Sequence, residues 1–341
     1  MDTLIRRVRR VLRWLLGVSL GILVCVALVL VVFDWQAGRR EVGVAFEIAP
    51  ATGGIVEAAD VAIFVQEMGP ANGLAVLFVH GTGAWSETWR QSMTTLAQPG
   101  FRVIAIDLPP FGFSQRPATP RYGKLEQGKR IVGVLDALKI QRAILVGHSF
   151  GGGPTMEAAF IAPQRMRGLV LVDVALSINE NGGDQPTTPL LLEKFLATPL
   201  LRDSVVATFL TNPLFTRRLL QLFIDNAAHA TDDWVRIYRE PLAVRDSTRA
   251  IGTWLPELLA SSAASISENP AAYKALTMPV KIICGGRDTI TPLAQGQLLA
   301  RIAPGAELTV MPEVGHIPQI EDTKRFNDIL LKLVSGFGTG P

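Results

Sequence analysis

Residues 143–153 read AILVGHSFGGG and contain the most informative motif of the chain. Its first residues form an apolar run of the kind found in β-strands that are buried on both faces. The run ends at residues 147–151, GHSFG, where Ser149 stands between two glycines. Pro154 follows closely, and proline suits the first turn of a helix because an N–H has no partner there. A strand, a tight turn and a helix in this order predict that the Ser149 hydroxyl projects from the carboxyl end of a sheet.

Apolar runs of the same kind recur along the chain, and stretches with helical patterning separate them. Alternating strands and helices predict an α/β fold with a mostly parallel, doubly wound sheet that helices cover on both faces. Residues 41–49 and 60–69 predict two additional strands before the first of these runs. The predicted buried strands comprise residues 74–81, 101–109, 142–149, 168–175, 280–286 and 307–313.

Residues 177–275 interrupt the alternation of strands and helices, because they contain helical apolar stretches and no run typical of a buried strand. We therefore expect a helical cap inserted into a core that comprises residues 40–176 and 276–341. Two interpretations of the cap stay open, a lid that shapes a pocket and an additional packing subdomain. The aromatic residues that would line a pocket in the first case, and form the core of the cap in the second, are Phe209, Phe215, Phe223, Trp234 and Trp254.

The N-terminal segment is apolar enough to cross a membrane. Residues 14–33 contain no charge, and as a helix they would extend over about 30 Å, the thickness of the apolar part of a bilayer. A cleaved signal peptide is the less favoured alternative, because its apolar region is shorter and ends in small residues. Five arginines lie within residues 1–13, and only Arg39 and Arg40 lie close after the apolar segment. The positive-inside rule then predicts a single-pass membrane protein with a basic cytoplasmic tail (residues 1–13), an anchor (residues 14–33) and an extracytoplasmic body.

The composition excludes several classes of protein. The net charge of +3 comes from the arginine-rich tail, so the body has no basic patterning typical of nucleic-acid binding. Two cysteines, Cys25 and Cys284, are too few for a cysteine metal site or a disulfide framework. The sequence contains no dinucleotide-binding or metal-binding motif, and we expect neither a cofactor nor a metal.

A serine hydroxyl needs a base that accepts its proton before it can act as a nucleophile. Among four histidines, His316 follows the last predicted strand, so its loop reaches the same edge of the sheet as Ser149. We expect His316 to be that base. The base in turn needs a carboxylate that orients its ring. Asp288 follows the preceding strand and is the favoured acid, and Asp173, at the end of an earlier strand, is the alternative.

The oxyanion of a tetrahedral intermediate requires two hydrogen-bond donors that are already in place. One is the backbone N–H of Phe150, directly after the serine. The other is expected from the loop after the first buried strand, at the N–H of Thr82, and His80 is expected to brace that loop.

These motifs, in this order, resemble the α/β-hydrolase superfamily in its branch with a helical cap. The resemblance implies that Ser149, Asp288 and His316 occupy the positions of the catalytic triad and that Thr82 and Phe150 form the oxyanion hole. One position departs from the family pattern, because Pro110 stands where a glycine is usual, which implies a stiffer loop. The resemblance extends from about residue 61 to residue 336 and rests on FVHGTG, IDLPPFGFS, VGHSFGGG, LVLVD, GGRDTITP and GHIPQIE.

The serine nucleophile indicates acyl transfer to water, because related enzymes that open epoxides or remove halides use an aspartate at this position. We expect hydrolysis of a small apolar carboxylic ester. The alternatives are carbon–carbon bond hydrolysis, amide or peptide hydrolysis, perhydrolysis, which the glycines at 151–153 favour, and a binding module without catalysis. The sequence does not determine the substrate-binding residues or the oligomeric state.

Overall fold

A computed structural model describes residues 2–117, 119–178, 189–259 and 265–338. Parts of the predicted cap, residues 179–188 and 260–264, lie outside the described residues. The strands are β1 (Gly53–Ala58), β2 (Val61–Met68), β3 (Ala75–Val79), β4 (Arg102–Ile106), β5 (Ala143–His148), β6 (Met166–Val172), β7 (Val280–Gly285) and β8 (Glu307–Met311).

Helices connect and cover these strands. The α-helices are α1 (Asp2–Arg40), α2 (Ala45–Ile48), α3 (Arg90–Ala97), α4 (Lys124–Ala137), α5 (Gly152–Ile161), α6 (Leu190–Leu196), α7 (Pro199–Val205), α8 (Thr216–Phe223), α9 (Asp232–Arg239), α10 (Ser247–Leu259), α11 (Leu293–Ile302), α12 (Pro318–Glu321) and α13 (Thr323–Ser335). A π-helix (Val206–Leu210) follows α7. Short 3-10 helices are Ser86–Trp89, Ser149–Gly151, Pro163–Arg165, Ala227–His229, Glu240–Ala243, Ile266–Glu268 and Pro270–Ala275. We refer to residues 189–259 and 265–275, which lie between β6 and β7, as the helical insertion.

The strands form one mostly parallel sheet in the order β1-β2-β4-β3-β5-β6-β7-β8. The pairs from β4 to β8 are all parallel, with Phe78 of β3 opposite Val146 of β5, whereas β1 and β2 run antiparallel to their neighbours. The chain order differs from the spatial order, so helices must carry the chain across both faces of the sheet. The predicted α/β fold with a mostly parallel sheet is confirmed.

Helices bury both faces of the central strands. On one face, Met93 of α3 and Phe326 of α13 pack in the same apolar cluster as Phe78. On the other face, Met156 of α5 belongs to a second cluster together with Leu77. Neighbouring residues of β3 thus enter opposite clusters and are fully buried, which explains why the buried strands read as continuous apolar runs.

The strand predicted over residues 41–49 is wrong. This segment contains α2 and an isolated bridge between Gly43 and Val244 of the helical insertion. The Gly43 N–H donates to the carbonyl of Ala243 at 3.1 Å, and the Gly43 carbonyl accepts from Arg245 at 2.8 Å. The segment is therefore bonded to the insertion and cannot reach the sheet. Strand β1, which was not predicted, pairs with β2 at the edge of the sheet instead.

The long apolar N-terminal helix is confirmed. Helix α1 has 39 residues and continues beyond residue 33 without a break to Arg40. The side chains of residues 14–28 are all exposed. The last turns of α1 pack against α7 and the π-helix, and Ala37 is buried there. One helix thus connects the apolar segment directly to the helical insertion.

Candidate active site

Ser149 lies at the sharp turn between β5 and α5. Its φ of +50° is in the left-handed region, which costs a residue other than glycine about 1–3 kcal/mol. The flanking glycines make room for the turn. A Cβ at Gly147 would lie 2.4 Å from Thr155 Oγ1, and one at Gly151 would lie 2.5 Å from the His80 carbonyl oxygen. The tight packing holds the serine in a strained conformation at the end of the strand.

His316 lies between β8 and α12 and reaches the serine. Its Nε2 is 2.8 Å from Ser149 Oγ, and the side chain is 2% exposed. The backbone N–H of His316 donates to the carbonyl of Phe223 at 3.0 Å, so the helical insertion also holds this loop. The geometry allows His316 to accept the serine proton.

Asp288 lies on the other side of the His316 ring, with its Oδ2 2.8 Å from His316 Nδ1. Its Oδ1 accepts hydrogen bonds from the N–H groups of Ile290 at 2.7 Å and Thr291 at 3.0 Å, and the Thr291 hydroxyl donates to Oδ2 at 2.5 Å. Burial raises the pKa of Asp288, but the hydrogen bonds and charge of His316 and the Thr291 donors outweigh burial and lower it below its ordinary value. The carboxylate form that can orient His316 is therefore favoured.

Asp173, the alternative acid, is not within hydrogen-bond distance of His316 among the described residues. Its Oδ1 accepts a hydrogen bond from the Gly285 N–H at 2.8 Å. Its Oδ2 is buried and has no hydrogen-bond partner among the described residues. Burial, followed by the charge of Asp288, raises the pKa of Asp173 well above its ordinary value. The neutral form is therefore favoured, and the structure brings Ser149, His316 and Asp288 together without Asp173.

The two expected oxyanion donors lie beside the serine. Thr82 lines the same cavity as Ser149, and a Cβ at Gly81 would lie 3.1 Å from Ser149 Cβ, so this loop approaches the elbow closely. Phe150 is at the amino end of a helical segment, where N–H groups lack intrahelical acceptors. His80 braces the loop, because its Nε2 accepts from the Leu108 N–H at 2.9 Å and its Nδ1 donates to the Gly81 carbonyl at 2.8 Å.

His148 has a structural role that was not predicted from the sequence. Its Nε2 lies 2.8 Å from the carbonyl oxygen of His316 and donates to it. Burial, followed by the nearby His316, lowers the pKa of His148 to about 3, so the ring is neutral at physiological pH. His148 thus holds the His316 backbone in place. The only signal in the sequence was its position next to the serine, which does not reveal a partner so far along the chain.

A cavity of about 150 Å³ opens at Ser149 between the sheet and the helical insertion. Its walls are mostly apolar, and Trp254 packs edge-on against Phe111 with ring centroids 4.9 Å apart. Of the five aromatic residues considered for a pocket, Phe223 and Trp254 line the cavity. Other residues that line it are Pro110, Leu210, Leu219, Leu220, Tyr238, Leu242, Ser247 and Ile251.

Arg116 is the only arginine, lysine or acidic residue lining this cavity in the part of the chain that the structure describes. Its two Nη groups donate to the carbonyl oxygens of Phe111, Gly112 and Ser114, and to the Ser247 hydroxyl. Its buried Nε–H has no partner among the described residues. The guanidinium therefore clamps the loop after β4 and retains one free donor.

The chain is similar to hydrolases of known function. It is 31% identical over 261 residues to a 2-hydroxymuconate semialdehyde hydrolase of Pseudomonas putida. This alignment covers 74% of this chain and 84% of the relative. A solved structure of the meta-cleavage product hydrolase CumD from Pseudomonas fluorescens IP01 matches with 27% identity and a TM-score of 0.65, over 84% of this chain and 99% of that chain.

A second solved structure, Est816, is described as an N-acyl homoserine lactone degrading enzyme. It matches with 26% identity and a TM-score of 0.64, over 82% of this chain and all of that chain. The sequence model of the alpha/beta hydrolase fold matches residues 75–323. Together with the sheet order and the serine elbow, this match shows that the chain belongs to the α/β-hydrolase superfamily.

Proposed function

We propose that this protein is a serine hydrolase in which Ser149 is the nucleophile, His316 the general base and Asp288 the carboxylate that orients His316. One observation carries the proposal: a continuous relay in which Ser149 Oγ lies 2.8 Å from His316 Nε2 and His316 Nδ1 lies 2.8 Å from Asp288 Oδ2. This arrangement of nucleophile, base and orienting acid is the one that acyl transfer requires.

In the proposed reaction, His316 removes the hydroxyl proton while Ser149 Oγ forms a bond with the substrate carbonyl carbon. The N–H groups of Thr82 and Phe150 stabilise the resulting oxyanion. His316 then donates its proton to the leaving group, and an acyl-enzyme remains on Ser149. Water attacks the acyl-enzyme with His316 again as the base, and the acid and the free serine are released.

The cavity favours an ester with an apolar acyl group. Its lining is mostly aromatic and aliphatic, and both Nη groups of Arg116 are already bonded to the protein. A cavity of this volume holds a benzene-sized group, about six carbons. A short or medium acyl chain would fill it, and the alcohol part would point to the opening.

Carbon–carbon bond hydrolysis is the second candidate, and the similar proteins favour it over ester hydrolysis. Both the Pseudomonas putida relative and CumD are named for substrates of that reaction. A muconate carries a carboxylate, and the unpartnered Nε–H of Arg116 is a donor that such a group would satisfy. Lactone cleavage by Est816 is an ester reaction on the same fold and favours the first candidate.

The test uses the wild-type chain and its Ser149→Ala variant with a fluorophosphonate probe, p-nitrophenyl esters of graded chain length and 2-hydroxymuconate semialdehyde. We expect labelling of the wild type only, and ester turnover that the variant lacks. Turnover of the semialdehyde without ester turnover would replace the first candidate with the second. A folded wild type that is not labelled would refute the serine hydrolase.

We further propose that residues 14–33 of α1 anchor the protein in a membrane, with residues 1–13 in the cytoplasm and the hydrolase outside. Residues 9–40 are apolar enough, and long enough, to span a bilayer. The charge asymmetry around the span sets the orientation. External protease added to intact cells should digest the body, and full protection of the body would reverse the topology.

A further inference from the structure

The end of α1 is bonded to the segments that wall the cavity. The Nε of Arg40 donates to the carbonyl of Leu242 at 2.9 Å, and Leu242 itself lines the cavity. The Glu41 carboxylate accepts from both the N–H and the hydroxyl of Thr248 in α10. Ala37 is buried one turn earlier, where α1 packs against α7. No flexible linker therefore separates the apolar helix from the helical insertion.

The position of the bilayer along α1 follows from its aromatic residues. Trp14 and Trp35 are exposed and lie about 32 Å apart along the helix, which matches the apolar thickness of a bilayer. Tryptophan favours the membrane–water boundary, and Arg39 stacks 4.9 Å above the Trp35 ring. Arg40 lies only about 8 Å beyond Trp35 along the axis. The insertion is thus held directly at the lipid surface.

Exposed apolar side chains are concentrated in the part of the insertion that includes α7 and the π-helix, the two elements that contact α1. Outside α1, seven of the sixteen large apolar side chains exposed in the described ranges fall within residues 191–214. Leu200 is 78% exposed and Leu214 is 72% exposed, so neither contributes much to folding. Leu210 is partly exposed and also lines the cavity. We define the apolar rim as Val42, Leu200, Leu201, Phe209, Leu210 and Leu214.

We propose that the apolar rim is embedded in the lipid surface and that the cavity receives its substrate, an ester with an apolar acyl chain, directly from the bilayer. This inference rests on the proposed ester hydrolase and anchor. Val42 closely follows α1, and the next four rim residues lie on α7 and the π-helix, which contact α1. Leu214 lies in the turn after the π-helix. The anchor thus places this part of the insertion next to the lipid. Leaving a patch of this kind in water is unfavourable, and burial in lipid removes that cost.

The first experiment measures where the rim lies. The full chain with Cys25→Ser is reconstituted in phosphatidylcholine vesicles with a fluorophore on Leu214→Cys, or on Ile161→Cys as the matched control at the far end of α5. Cys284 is buried and is not labelled. We expect lipids that carry a shallow nitroxide to quench the label at position 214 at least about twofold more than that at 161. Equal quenching overturns the proposal. A shielded but unquenched label at 214 would overturn the proposal and assign the rim to contact with a second copy of this chain.

The second experiment measures delivery of the substrate. Leu200→Glu/Leu214→Glu is compared with Ile161→Glu on water-soluble p-nitrophenyl butyrate and on p-nitrophenyl octanoate dissolved in the vesicles. We expect the double variant to lose about tenfold or more on the octanoate alone, because one leucine side chain gains at least that much on transfer into an apolar phase. Unchanged turnover of both esters overturns delivery from the bilayer. If the wild type cleaves neither ester, the ester hydrolase fails, while the quenching result still decides the docking.

Discussion

Replacing Asp288 with asparagine tests the proposed relay, because it removes a negative charge and conserves the shape of the side chain. In the native chain, the N–H groups of Ile290 and Thr291 donate to Oδ1, and Oδ2 faces His316. Asparagine has one carbonyl oxygen, and these two donors would hold it in the place of Oδ1. Its NH₂ group would then donate to His316 Nδ1, which forces the ring proton onto Nε2, opposite Ser149.

With its proton on Nε2, His316 cannot accept the serine proton. We expect a loss of about 10³- to 10⁴-fold in kcat, which corresponds to about 4–5.5 kcal/mol of transition-state stabilisation. The assay is the second-order rate of fluorophosphonate labelling, together with kcat for whichever substrate the wild type turns over. The labelling rate needs no knowledge of the natural substrate.

Asp173→Asn is the matched control, because burial raises the pKa of Asp173 and so favours its neutral form, which an amide resembles in shape. The amide oxygen can also accept the Gly285 hydrogen bond. We expect its labelling rate to stay close to that of the wild type. If Asp288→Asn retains the wild-type rate within about tenfold, or if Asp173→Asn loses as much, Asp288 is not the orienting carboxylate.

Three further predictions concern the cavity, the elbow and pH. Trp254→Ala should shift the ester chain-length optimum to longer acyl groups and cost about 3–5 kcal/mol of stability in denaturant unfolding; an unchanged optimum would remove Trp254 from the substrate path. Gly151→Ala would place a methyl group 2.5 Å from the His80 carbonyl oxygen, so we expect little folded, labelled protein, and full labelling would contradict this packing. Burial lowers the pKa of His80 to about 4, so the folded state binds fewer protons than the unfolded state between about pH 4 and pH 6.5. The His80 contribution to the free energy of unfolding should be intact above pH 6.5 and fall by roughly 3 kcal/mol towards pH 4. In His80→Gln, the free energy of unfolding, measured by denaturant titration in detergent micelles, should depend less on pH in this range. An unchanged pH dependence would contradict this assignment.

Several features of the candidate site could be predicted because their causes are local or follow from strand order. The Ser149 elbow is encoded in consecutive residues, since only small neighbours fit the turn. His316 and Asp288 could be selected because loops after parallel strands meet at one edge of the sheet. The same reasoning left Asp173 as an alternative, because strand order does not measure which carboxyl reaches the His316 ring.

Other features could not be predicted, because they depend on partners that are distant in the chain. Residues 41–49 alternate like a strand, but Gly43 bonds to Ala243 and Arg245, about two hundred residues away. In the sequence His148 is a neighbour of Ser149, whereas in the structure its Nε2 donates to the carbonyl of His316. Patterns of polarity predict how a segment folds, whereas the choice between competing partners is made by packing.

Patterns in the sequence were enough to predict the fold class, the sharp turn at Ser149 and the apolar N-terminal helix, because local turn geometry and the periodicity of apolar residues encode them. Three features became visible from the packed chain alone: which carboxylate faces His316, how Arg116 clamps the wall of the cavity, and where the end of α1 is attached. These contacts are hydrogen bonds between distant segments, and their formation depends on three-dimensional distance and burial, which no local pattern records.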